Sequence, residues 1–200
     1  MKRCRPRWWG LLALLLVLAG CDTQHSQYRY AMSLLMTGNA ATGARMLATL
    51  ARTGHGPAQL RLGLLFQQGL GVPRSPRQAA QWFEQAALQG EVGGQYLLAQ
   101  AYQRGDGVPA SPEKALEWFR RLAERGYAPA QYQVALAFAG GQGVERDEAQ
   151  ALGWFERAAT GGHHDAAKRL AQAYRQGELG LAKDPQQAEF WDQKTQPPRF

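Results

Sequence analysis

The chain has 200 residues, a formal net charge of +7 and two cysteines, Cys4 and Cys21. Lys2, Arg3, Arg5 and Arg7 contribute +4 to the net charge of +7, and without them the balance is only +3, too little to support a clustered nucleic-acid-binding face. With Cys4 near the start and one further cysteine, no disulfide framework is available, so stability must come from packing.

The first element is residues 1–20. A basic start is followed by the uncharged run Trp8–Gly20, which at 13 residues is too short to span a bilayer as a helix. Basic region, short apolar run and small-residue exit are the marks of a cleaved signal peptide. The exit Leu18-Ala19-Gly20-Cys21 resembles the bacterial lipobox. That resemblance implies cleavage before Cys21, acylation of its thiol and a lipid bilayer as partner. Two or more acyl chains give stable anchoring. Asp22 resembles the signal that retains lipoproteins in the inner membrane of enteric-type bacteria, with the outer membrane as the alternative. Both place the chain in the cell envelope, facing the periplasm. Positions 21–26 read as the lipidated cysteine and a short tether. Extended, Asp22–Ser26 reaches roughly 17 Å, which favours a protein partner at or near the same membrane.

Beyond the tether the sequence repeats every 36 residues. Blocks run over 58–93, 94–129 and 130–165, with degenerate repeats at 27–57 and 166–194 and a tail at 195–200. An aromatic recurs at Phe66, Tyr102, Phe138 and Tyr174. The tetrads GLGV, GDGV and GQGV begin at Gly69, Gly105 and Gly141, and Trp-Phe pairs recur at Trp82-Phe83, Trp118-Phe119 and Trp154-Phe155. The last repeat carries one inserted residue, so Ala188 and Trp191 fall one place late. Eroded end repeats are expected where one face meets solvent.

Each block predicts two helices. Ala58, Leu62 and Phe66 share one stripe of helix A, and Ala79, Trp82, Phe83, Ala86 and Ala87 form a wider apolar face on helix B. The loop glycines end helix A in the left-handed region, and Val72, Val108 and Val144 plug the gap between the helices. Ser75-Pro76, Ser111-Pro112 and Asp184-Pro185 start helix B with a capping oxygen before proline, and Asp147 caps without one. Gln78, Gln150 and Gln187 complete a capping box. Gly63, Ala99, Ala135 and Ala171 are small enough for close helix approach. The four tryptophans after the signal are expected in the core.

These residues, in the pattern A-x3-LG-x2-Y-x2-GxGV…KA-x2-W[YF]-x2-AA-x2-G, resemble the Sel-one-like repeat, a relative of the tetratricopeptide repeats. The resemblance covers nearly all of the chain after the signal. It implies an all-α fold, a right-handed α-solenoid of stacked helix–turn–helix repeats with a concave face of A helices. It also implies an adaptor function in signalling or envelope assemblies such as polysaccharide export.

The GxGV loops lack the Lys-Ser/Thr of a phosphate-binding loop and follow helices, so no nucleotide is expected. His163, His164 and Asp165 are adjacent on a turn and poorly placed to converge on a metal, so no metal or cofactor is expected. No nucleophile or carboxylate pair stands out, and the expectation is a non-enzyme. The predicted partner-binding surface is the free face of helix A. Its third positions are Leu60, Tyr96, Tyr132 and Lys168, its seventh Leu64, Gln100, Leu136 and Gln172, and its tenth Gln67, Gln103, Ala139 and Arg175. Such a stripe suits a protein segment with tyrosine as anchor, although Tyr96 and Tyr132 could equally pack between helices. Two other readings stay open: an enzyme acting on cell-wall or β-lactam substrates, and a glycan-binding module. Partner identity and oligomeric state are not encoded in the repeat pattern.

Overall fold

The computed structural model describes residues 23–195. The expected signal peptide, Cys21, Asp22 and the tail from 196 onward lie outside those residues. Every element among them is helical. After α1 (23–36) come α2 (Ala40–Arg52), α3 (Gly56–Gln68), α4 (Pro76–Leu88), α5 (Val92–Arg104), α6 (Pro112–Glu124), α7 (Ala128–Gly140), α8 (Glu148–Thr160), α9 (His164–Gln176) and α10 (Pro185–Gln193). The fold is an all-α solenoid of helix–turn–helix repeats, in which successive helices pack on one another from α2 to α4 and from α5 to α10. The chain divides into two compact units, Met1–Gln89 and Gly90–Phe200.

Local chemistry sets where the helices start and stop. Ser75, Ser111 and Asp147 accept a bond from the backbone N–H three residues on, and Asp184 accepts two backbone bonds, from Gln186 two residues on and Gln187 three residues on. The expected capping box is not how these starts close. The cap's own N–H donates instead to the carbonyl of the repeat aromatic: Ser75 to Phe66 at 2.8 Å, Ser111 to Tyr102 at 2.8 Å, Asp147 to Phe138 at 3.0 Å and Asp184 to Tyr174 at 2.9 Å. Each bond ties the start of helix B to the end of helix A, so a glutamine return bond has no donor left to satisfy. Gly69, Gly105, Gly141 and Gly177 end the A helices with φ between 67° and 75°.

In the first unit, Ala31, Ala44, Leu47, Leu50, Ala58, Leu62 and Leu65 form a buried cluster, with Val72 against it as the loop plug. Helices α3 and α4 touch through Gly63, where a Cβ would stand 2.6 Å from the Phe83 ring. In the second unit, Leu98, Leu122, Val134, Phe155 and Leu170 are fully buried between successive helices. Replacing one of these leucines by alanine would cost about 2–5 kcal/mol.

Three expectations are corrected. Residues 23–26 are not an extended tether but the first turn of α1, where the Ser26 hydroxyl donates to the Thr23 carbonyl at 2.9 Å. Helix rise is about 1.5 Å per residue, so the span beyond Cys21 shortens accordingly. In each Trp-Phe pair the phenylalanine is the core residue: Phe83, Phe119 and Phe155 are buried, whereas Trp82, Trp118 and Trp154 are half-buried. Trp191, in the last repeat, is buried. Finally, the A helices begin two residues ahead of the predicted blocks, because their N-caps are His55, Glu91, Tyr127 and His163.

Candidate functional site

The predicted face of helix A falls on three helices of the second unit. Tyr96 and Gln100 on α5 and Tyr132 and Leu136 on α7 are half-buried, while Gln103 on α5 and Lys168 and Gln172 on α9 are exposed. In the first unit, Leu60, Leu64 and Gln67 are half-buried on α3.

Both tyrosines use their rings to hold helices together. The Tyr96 ring packs at 5.5 Å against Phe119 and 5.7 Å against Tyr127, both edge-on. Tyr132 lies 5.8 Å from Phe155 and stacks on His163 at 4.4 Å with 19° between planes. Each tyrosine therefore bridges helix B of its own repeat and the cap residue that opens the next one. Their hydroxyl ends carry the polar chemistry. Burial raises the Tyr96 phenol above its ordinary value, Tyr127 adds to this, and side-chain hydrogen bonds with Gln100 and Gln133 oppose it. Burial likewise raises Tyr132, with Asp165 adding and Arg169 opposing. Both hydroxyls stay protonated at neutral pH and can donate as well as accept.

Around them runs an amide network. Gln103 Nε2 donates to Gln133 Oε1 across α5 and α7 at 3.4 Å, and Gln172 Nε2 donates to Gln176 Oε1 at 3.3 Å. Lys168 faces Asp165 at 3.6 Å. Arg175 is drawn off this surface, because its guanidinium pairs with Asp192 on α10. The surface offers amides and phenols, with charge confined to its α9 end. That composition can read the backbone and polar side chains of another protein, and each amide presents both a donor and an acceptor.

Several structural residues carried no weight in the sequence reading. Gln59 and Gln131 are buried on α3 and α7 and donate at 3.1 Å to the carbonyls of Ala51 and Ala123, clamping the end of the preceding helix. Their spacing of 72 residues, two repeats of 36, was the available signal. His55 and His163 are N-caps whose Nδ1 atoms accept from Ala58 N at 3.2 Å and Ala166 N at 3.3 Å. His163 is thus occupied by its helix. Among the described residues no group of three or more His, Cys, Asp or Glu is placed to hold a metal ion.

The model of the Sel1 repeat family matches residues 56–91, 92–127, 128–163 and 164–194. The crystal structure of a Sel1 repeat protein from Oxalobacter formigenes is similar at 25% identity and a TM-score of 0.74, over 88% of this chain and 72% of that one. A protective antigen of uropathogenic Escherichia coli, c5321, is similar at 28% identity and a TM-score of 0.80, over 88% of this chain but only 38% of its own length. A comparison with curated proteins finds no match.

Proposed function

Because the chain belongs to the Sel1 repeat family, whose repeats are interaction scaffolds, we propose that it is a lipid-anchored adaptor that recruits a protein partner at the envelope membrane, facing the periplasm. The observation that carries this reading is the strip of phenol and amide groups along α5 and α7. Tyr96, Gln100, Gln103 and Gln133 form a connected polar surface in which packing has already fixed the rings. A pre-ordered aromatic loses little conformational freedom on binding, which favours its use as an anchor. The lipobox-like Leu18–Cys21 supports the anchor, and Asp22 supports the inner membrane. Among the described residues no helix is long and apolar enough to cross a membrane, so attachment in this reading depends on Cys21.

Two experiments test it. Photocrosslinkers at positions 103 and 172 should capture one and the same envelope protein, whereas position 85 on α4 should not. Capture from 85 alone would overturn the assignment of the face. Cys21→Ser should abolish labelling by a palmitate analogue and release the protein from membranes. Retention in the membrane fraction would refute the anchor.

A further inference from the structure

Helices α6 and α8 present the same outer ridge in two different states. On α6 it carries Glu113, Glu117, Trp118 and Arg121. Thirty-six residues later, on α8, the equivalents are Ala149, Gly153, Trp154 and Arg157. On α6 the Glu117 carboxylate pairs with Arg121 at 2.5 Å, and that guanidinium lies 4.6 Å from the centre of the Trp118 ring. On α8 Arg157 takes the same pose, 4.7 Å from the Trp154 ring, but both glutamates are replaced by small residues. A Cβ on Gly153 would meet nothing within 4 Å. A depression of about 290 Å³ opens there over Asp147, Ala149, Gln150, Gly153, Trp154 and Arg157. No ion pair to Arg157 occurs among the described residues.

We propose that this notch on α8 is a docking site for an acidic side chain of a partner protein, whose carboxylate seats on Arg157 in the place that Glu117 fills on α6. The occupant is argued from the molecule itself. A glutamate already satisfies the identical Trp-Arg pair one repeat earlier, so the missing group on α8 is a carboxylate on a short carbon stem. A guanidinium held over an indole keeps its edge donors available for such a group. Asp147 stands at the other end of the depression, ten residues from Arg157 and so roughly 15 Å along the axis. It repels a second acid and accepts from a partner's donors, which gives the docked segment a direction. The site lies on helix B and does not depend on the helix A face above.

The test uses the full chain in mild detergent and a fluorescein-labelled peptide of alternating Glu and Ala, followed by anisotropy at low salt. The Glu peptide should bind and its Gln counterpart should not. Arg157→Gln should weaken binding about tenfold or more, equivalent to about 1.4 kcal/mol. Gly153→Glu should weaken it as much by supplying the carboxylate internally. Its melting temperature should not fall, since glutamate is a better helix former than glycine. Glu117→Gly should create a second, similar site. The proposal is overturned if the wild type does not bind the Glu peptide, or if Arg157→Gln binds it unchanged. It is also overturned if polygalacturonate binds in an Arg157-dependent way and the peptide does not, which would make the notch a glycan site.

Discussion

The loop after α7 and the loop after α9 both return the chain from an A helix to a B helix, yet their glycines answer to different constraints. At Gly143 a Cβ would stand 2.5 Å from the carbonyl carbon and oxygen of Pro112 and 2.7 Å from the Glu113 nitrogen, so this loop rests directly on the first turn of α6. Gly71 makes the same approach to Ala40 in the first unit, at 2.4 Å. At Gly180, in the loop after α9, a Cβ would meet nothing within 4 Å. The inserted residue there turns Leu179 inward instead, buried with a φ of 57°. In these two loops the second glycine seats one repeat on the previous one. The last repeat needs its glycine for backbone geometry alone and gains its contact from a leucine.

That difference can be broken by substitution. Gly143→Ala should be the most damaging change, at about 3 kcal/mol, because overpacking against immovable backbone adds to the left-handed conformation. Urea denaturation would measure it, and a cost below that of Gly180→Ala would refute the seating role. Asp184→Ala should cost about 1–2 kcal/mol and exceed Asp147→Ala, since Asp184 accepts two backbone bonds and Asp147 one. Gly180→Ala should cost about 1 kcal/mol, from φ alone.

The smallest effect is a dependence on pH at the joint before α9. Burial lowers the His163 pKa below its ordinary value, with His164 acting in the same direction and Asp165 against it, while Tyr132 of α7 stacks on the ring. The neutral form is the one that caps α9 through Nδ1. A histidine with a depressed folded value contributes stability above its unfolded pKa of about 6.5 and loses it as pH falls below that. Stability should therefore decline as pH falls below about 6.5, and His163→Asn, which keeps a capping oxygen, should flatten that decline. An unchanged slope in His163→Asn would assign the dependence elsewhere.

The sequence alone determined the 36-residue period, the all-α class, the caps of α4, α6, α8 and α10, the glycines that end α3, α5, α7 and α9 and the small residue at Gly63. All of these rest on interactions within a few residues, or on a pattern that repetition makes visible. It did not reveal that phenylalanine rather than tryptophan fills the core. Nor did it show that cap N–H groups bond to the Phe66, Tyr102, Phe138 and Tyr174 carbonyls, that Gln59 and Gln131 clamp the preceding helix, or that Arg175 leaves the predicted face for Asp192. Tertiary structure decided these, because each requires two surfaces brought together by packing. The same holds for the notch over Gly153. One letter in the repeat becomes an open place only when the side chains around it are fixed in space.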